Sequence, residues 1–136
     1  MPLSRVGAKA SVAGAILAVI TSDVVMQMPR PKALELLAML LASIAAVYVG
    51  CALSTEQRRH AVIEAIAASA FFVLAVLGLW LTPFLLVAGY LGHGIWDIAH
   101  HPRGIHTKIA TWWPPFCLVY DWVVGTFLYW SLITGH

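Results

Sequence analysis

Five long apolar segments, separated by short polar or proline-containing turns, fill almost the whole chain. Each is close to the ~20 residues that a helix needs to cross a bilayer. Only 10% of the 136 residues are charged and 61% are hydrophobic, whereas soluble domains carry about 25% charged residues. The sequence therefore predicts an all-α integral membrane bundle, one domain over residues 1–136. Its five transmembrane helices are placed at about 12–27, 33–53, 58–80, 83–101 and 114–134.

Prolines and polar clusters set the predicted boundaries of these segments. Pro29 and Pro31 interrupt the first helix, because proline cannot donate the backbone hydrogen bond that continues a helix. The Ser-Thr-Glu-Gln sequence at 54–57 is a capping-box pattern that opens the third segment. Thr82 and Pro83 are typical of a cap and a first-turn proline at the start of the fourth segment.

The distribution of lysine and arginine predicts the orientation. With the N-terminus in the cytoplasm and the C-terminus outside, only Arg30 and Lys32 of the eight basic residues lie outside. This arrangement follows the positive-inside rule, and we expect a bacterial inner membrane. Arg5 and Lys9 would also suit a cleaved signal peptide, but Asp23 and the lack of a clean cleavage site argue against that alternative.

Five of the six carboxyl groups lie inside the apolar segments. An ionisable side chain in hydrocarbon costs roughly 2.5 kcal/mol or more, so these groups need partners. Asp23 and Glu35 lie beside Arg30 and Lys32 at the predicted outer face. We interpret them as an outer salt-bridge cluster, with a role in substrate entry or proton uptake as the alternative.

The other three carboxyl groups lie near the predicted cytoplasmic ends of the third, fourth and fifth segments: Glu64, Asp97 and Asp121. Residues 93–101 read His-Gly-Ile-Trp-Asp-Ile-Ala-His-His. At 100° per residue, His93, Asp97 and His100 fall within about 60° of one another. At 1.5 Å per residue, His93 and Asp121 both lie roughly 12 Å from those helix ends. We therefore expect residues from three helices to meet in one pocket at one level of the membrane.

Imidazole and carboxylate ligands of this kind suit iron, zinc or manganese, and a divalent ion would offset the charge of several buried acids. We predict iron or zinc, held by ligands from His93, Asp97, His100, His101, Asp121 and Glu64. Four further side chains are predicted to support these ligands: His60, His106, Tyr90 and Trp96. The alternatives are a metal-free acid–base site and a purely structural network. For both the metal site and the metal-free acid–base site, the predicted catalytic residues are Glu64, Asp97 and Asp121.

The string His93-x-x-x-Asp97-x-x-His100-His101 resembles the histidine boxes of the membrane fatty-acid desaturase and hydroxylase family, which holds iron at the cytoplasmic face of a helical bundle. The likeness covers these nine residues, with Asp97 in place of an expected histidine, and the chain has only six histidines. A compact five-helix bundle with His60-x-x-x-Glu64 is similar to the sterol isomerases of the emopamil-binding type, which move protons on a lipid without metal. The chain also resembles small bacterial membrane proteins.

The sequence thus predicts a metal-dependent membrane enzyme acting on a lipid or isoprenoid-like substrate that enters from the bilayer. The alternatives are a metal-free intramembrane isomerase or cyclase and a proton- or metal-coupled transporter, since buried acids and histidines also mark ion paths. The expected partners are the lipid bilayer, a hydrophobic small molecule and a second copy of the chain if the bundle oligomerises. A net charge of +2 with scattered basic residues argues against nucleic acid. Cys51 and Cys117 are predicted to be free buried thiols.

Overall fold

A computed structural model of the chain describes residues 5–100 and 109–136, and these residues form a bundle of five helices. The predicted all-α bundle is therefore confirmed. The helices are α1 (Arg5–Met26), α2 (Arg30–Ser54), α3 (Arg58–Trp80), α4 (Phe84–Ala99) and α5 (Trp113–Thr134).

Four of the helices, α1, α2, α3 and α5, are long and apolar enough to span a membrane. Their composition and length agree with the prediction of a membrane protein. The fourth helix, α4, is apolar but has only 16 residues. At 1.5 Å per residue it is about 24 Å long, which is less than the ~30 Å hydrocarbon core. α4 is therefore shorter than the membrane-spanning segment predicted over 83–101.

The other predicted boundaries differ at the first two helices. α1 begins at Arg5 instead of residue 12, because no proline or glycine pair between them stops the helix. α2 begins at Arg30, and Pro31 lies in its first turn. At that position the missing backbone N–H of proline costs nothing, because first-turn N–H groups have no partner within the helix.

Neither predicted capping pattern forms its side-chain hydrogen bond. Gln57 precedes α3 with an extended backbone, and no side chain caps the helix. Pro83 is itself the residue that precedes α4, also without a side-chain cap. Both helices begin close to the predicted residues, although no side chain forms a capping hydrogen bond at either start.

Most of the packing in the bundle is between four pairs of helices. α5 contacts α1 and α4, and α3 contacts α2 and α4. Small residues make the closest approaches possible. A Cβ added at Gly14 of α1 would overlap the backbone carbonyl oxygen of Phe116 in α5. A Cβ added at Gly78 of α3 would lie 2.5 Å from Cγ of Leu86 in α4. The bundle thus places α4 between α3 and α5.

The buried side chains separate into an apolar part and a polar part. The larger apolar cluster is built around residues such as Leu37, Leu41, Leu86 and Val124. The polar part lies toward the bundle end where α2 and α4 end and α3 and α5 begin. Its members in the described ranges are Glu64, His93, Asp97, His100 and Asp121.

At the opposite end, the acids at 23 and 35 make only exposed contacts. The Lys32 ammonium donates to Glu35 Oε2 at 2.8 Å, one helical turn away. Asp23 Oδ2 instead accepts a hydrogen bond of 2.9 Å from the Gln27 amide. Within the described part of the chain, the predicted outer salt-bridge cluster is therefore reduced to the Lys32–Glu35 pair.

Candidate functional site

His93 lies on the buried face of α4, with its imidazole beside two carboxyl groups. Its Nδ1 is 2.6 Å from Asp121 Oδ2 on α5 and 3.3 Å from Asp97 Oδ2, one turn further along α4. All three side chains are fully buried. When Asp121 is ionised, its carboxylate only accepts hydrogen bonds, and Nδ1–H donates to it. This bond orients the ring and leaves Nε2 without a hydrogen-bond partner among the described residues.

A tyrosine from α2 completes this group. The Tyr48 hydroxyl, fully buried, donates a hydrogen bond to Asp97 Oδ1. The Tyr48 ring lies edge-on to His93, with 5.3 Å between ring centroids, and 4.9 Å from the ring of His100. Phe71 of α3 also packs edge-on against His93, at 5.0 Å. Side chains from four helices therefore enclose the His93 imidazole.

His100 and Glu64 form a second buried pair next to the first group. His100 Nδ1 is 2.9 Å from the Trp96 carbonyl oxygen, and His100 Nε2 is 2.5 Å from Glu64 Oε1. A carbonyl oxygen only accepts, so Nδ1 carries a proton. The proton between Nε2 and Oε1 then makes either an imidazolium with a carboxylate or a neutral imidazole with a carboxylic acid. The pair is neutral as a unit in both cases and holds one exchangeable proton.

The charge of the first group does not balance in the same way. Even with His93 protonated, one positive charge faces the two carboxylates of Asp97 and Asp121. An uncompensated buried charge is strongly destabilising. In addition, one buried atom of each side chain in this group has no hydrogen-bond partner within residues 5–100 and 109–136: His93 Nε2, Asp97 Oδ2 and Asp121 Oδ1. With both carboxyl groups ionised, the group is therefore one positive charge short among these residues.

The geometry of the group suits a metal ion. One ligand atom each from His93, Asp97 and Asp121 can be chosen so that all lie within 4.8 Å of one another. Ligands that bind zinc at about 2.1 Å with tetrahedral angles are roughly 3.4 Å apart, so the distances between these atoms would have to change by up to about 1.4 Å. Three protein ligands with a further open position are the pattern of catalytic zinc sites, and mixed histidine–carboxylate sets also hold iron.

The structure brings together three of the six predicted ligands, His93, Asp97 and Asp121. His100 and Glu64 lie next to them but bond to each other. The remaining predicted ligand, His101, and the predicted supporting residue His106 lie outside the described residues.

The other predicted supporting residues have different positions. Trp96 supports His100 through its carbonyl oxygen and through a ring contact of 5.3 Å. The Tyr90 hydroxyl donates to the carbonyl oxygen of Leu37 at 2.7 Å. Tyr90 therefore hydrogen-bonds to the backbone of α2 and not to the carboxyl groups of the cluster. His60 lies in the first turn of α3 and is partly buried.

Sequence reasoning missed Tyr48 and Phe71. Tyr48 lies six residues before the end of α2, or about 9 Å from it, which is close to the level expected for His93 and Asp121. Extending the depth argument to uncharged polar residues would have found it. Phe71 has no comparable signal, because phenylalanine is common in any apolar helix. Cys51 and Cys117 are buried thiols that form no disulfide, as predicted.

The sequence model of DUF6010, a family of unknown function, matches residues 9–134, and the chain therefore belongs to this family. No curated protein and no solved structure matches the chain.

Proposed function

We propose that this member of the DUF6010 family is a membrane-embedded, metal-dependent enzyme whose metal is held by His93, Asp97 and Asp121. The observation that carries the proposal is the meeting of three fully buried ligand groups within 4.8 Å, with an unpartnered atom on each. A divalent cation would offset the negative charge that His93 alone does not balance. Imidazole and carboxylate donors favour iron or zinc.

When bound, the ion would act as a Lewis acid on a substrate oxygen or would activate water. The surrounding residues have separate roles in this proposal. Tyr48 holds Asp97 by donating to Oδ1, and such supporting hydrogen bonds orient metal ligands. The His100–Glu64 pair, whose imidazole lies 4.9 Å from the Tyr48 ring, supplies or accepts a proton. The rings of Tyr48 and Phe71 pack against the His93 imidazole and hold it in place.

A lipid or isoprenoid-like substrate agrees with the apolar outer surface of the bundle. Large apolar side chains are exposed on every helix, for example Ile16, Met39, Phe72, Ile98 and Ile133. A molecule dissolved in the bilayer can reach such a surface without crossing water. We further propose a bacterial inner membrane with the N-terminus in the cytoplasm. The support is the excess of lysine and arginine on the connections at that side.

A metal-free isomerase or cyclase is the second candidate, and one set of contacts favours it. The His93–Asp121 bond of 2.6 Å and the Tyr48–Asp97 bond are made among the side chains themselves. A single extra proton on either carboxyl group would balance the charge as a cation would. That carboxylic acid would then be the general acid. A transport path has less support, because the described core beyond this cluster is apolar around Leu37, Leu41 and Leu128.

Metal analysis of purified protein tests the proposal. We expect close to one iron or zinc per wild-type chain in mild detergent without chelators. Asp121→Asn keeps the size of the side chain but removes its charge, so metal affinity should fall by at least roughly 10-fold. Asp97→Asn should have the same effect. Asp23→Asn is the matched control, because Asp23 is exposed and bonds to Gln27, and it should keep the full metal content.

Elemental analysis of each variant, compared with protein concentration from amino-acid analysis, gives the metal-to-chain ratio. Wild-type protein with no more metal than Asp121→Asn, after growth in iron-, zinc- and manganese-supplemented media, would contradict the metal site. The acid–base candidate would then be favoured. Equal metal loss in Asp23→Asn would show that the metal is bound at the surface.

A further inference from the structure

We propose that a cavity between α1, α4 and α5 binds the polar end of a single-chain lipid that carries an uncharged oxygen group, such as a long-chain alcohol or aldehyde. This inference rests on the proposed function and specifies its substrate class. The cavity has a volume of about 270 Å³. Its lining includes Ser11 of α1, Asp97 and Ile98 of α4, and Pro115, Leu118 and Val119 of α5.

Asp97 joins this cavity to the metal site. It lines the cavity and also lies beside His93, whose Nδ1 is 3.3 Å from Asp97 Oδ2. Asp97 is fully buried, and its Oδ2 has no hydrogen-bond partner among the described residues. A molecule that fills the cavity therefore ends against Asp97, one of the three residues proposed to hold the metal.

The position of the cavity favours entry from the bilayer. Ile98 lines it and is 50% exposed on the outside of α4. Apart from Ser11 and Asp97, the lining residues named above are apolar. Ser11 donates to the carbonyl oxygen of Pro115 at 3.4 Å, which occupies its hydroxyl at the α1–α5 contact. A hydrocarbon chain can thus pass from lipid to Asp97 along an apolar surface.

The volume limits how much of a lipid enters. A cavity of about 150 Å³ holds benzene, and complete drug-sized ligands occupy about 300–1,000 Å³. The observed 270 Å³ therefore accommodates the end of one chain and not a two-chain phospholipid. The rest of the chain would remain in the bilayer.

The charge of the site selects an uncharged end group. With a divalent cation and a neutral His93, the two carboxylates of Asp97 and Asp121 are balanced. A carboxylate or phosphate end would add an uncompensated negative charge to this balanced, buried site, and an ammonium end would add an uncompensated positive charge. A hydroxyl or carbonyl oxygen can instead approach the metal and accept or donate hydrogen bonds nearby without adding charge.

Photolabelling tests this assignment. Purified wild-type protein is irradiated with a hexadecanol that carries a diazirine next to its hydroxyl end, and the labelled residues are mapped by mass spectrometry. We expect labels on the cavity residues of α1, α4 and α5. Unlabelled hexadecanol should compete, whereas palmitate, with the same chain and an anionic end, should compete much less.

Filling the cavity should remove the specific label. Val119→Trp is expected to lower it about tenfold, which corresponds to about 1.4 kcal/mol of binding free energy. Val19→Trp makes the same change on the exposed side of α1, where Val19 is 63% exposed, and should leave the label unchanged. Ser11→Leu is a second filling variant in case Val119→Trp does not fold.

Metal content measured on the same samples separates the two proposals. Both filling variants should keep the metal while losing the label. Specific labelling of wild-type protein without metal would contradict the metal site but would support the cavity as a lipid site. Labelling that persists in both filling variants, or equal competition by palmitate and hexadecanol, would overturn the assignment.

Discussion

Replacing Gly14 with valine is expected to separate α1 from α5. A Cβ at this position would overlap the carbonyl oxygen of Phe116. That oxygen belongs to the helix backbone and cannot rotate away as a side chain can, so α1 itself must move. Overpacking a core costs about 1–3 kcal/mol, and we expect a loss of stability at the upper end of that range. The measurement is the temperature at which the bundle loses its monodisperse peak in size-exclusion chromatography after heating in detergent.

Two other glycines provide controls for this prediction. Gly50 of α2 has nothing within 4 Å of an added Cβ, so Gly50→Val should change stability little. A Cβ at Gly94 would overlap the indole ring of Trp122, which is 46% exposed and can rotate outward. Gly94→Ala should therefore destabilise less than Gly14→Ala. If Gly14→Val and Gly50→Val melted at the same temperature, the close α1–α5 contact would be wrong.

Replacing His93 with alanine is expected to cause the second large loss of stability. The variant removes the imidazole beside Asp97 and Asp121 and leaves two buried carboxyl groups together. Removing one partner of a buried ion pair typically costs about 3–5 kcal/mol. The unfolding free energy in mixed micelles of mild detergent and dodecyl sulfate provides the measurement. This prediction holds with or without a metal, so it tests the cluster itself.

A second substitution shows whether charge is the cause. Asp121→Asn removes one of the two carboxylates that His93→Ala leaves behind. The double variant should therefore be more stable than the sum of the single effects predicts, by about 0.5–3 kcal/mol. The exposed pair Lys32 and Glu35, in contact at 2.8 Å, provides the comparison. Lys32→Ala with Glu35→Gln should show a coupling below about 1 kcal/mol. Additive effects at His93 and Asp121 would contradict the buried contact.

Much of the candidate site was predictable from helical geometry. The 3.6-residue period put His93, Asp97 and His100 on one face of α4, and the rise per residue put His93 and Asp121 at the same depth. These two quantities depend only on positions within a helix. The structure agrees, since these side chains are buried, with His93 bonded to Asp121 across α4 and α5. Burial of ionisable groups in an apolar chain also indicated that they would have partners.

The pairing of those groups depended on the tertiary structure. Period and depth do not say which helices are neighbours or how each is rotated about its axis. The packing of α4 between α3 and α5 allows Glu64 to reach His100 and Asp121 to reach His93. The same packing brings Tyr48 from α2 to Asp97. Helical rise gives the level of Tyr48 along α2, but only the packing determines that Asp97 is its partner.

The sequence by itself determined the class of the fold, the number of helices and the depth of the buried acids, because hydrophobicity and helical rise are properties of each segment alone. The short length of α4 and the absence of capping bonds before α3 and α4 emerged only in the structure. Caps depend on the backbone angles of the residues before a helix, and those angles are set by how neighbouring helices pack. The tertiary structure likewise decided that Gly14 packs against a neighbouring helix and Gly50 does not, because the atoms that surround a helical glycine belong to another helix.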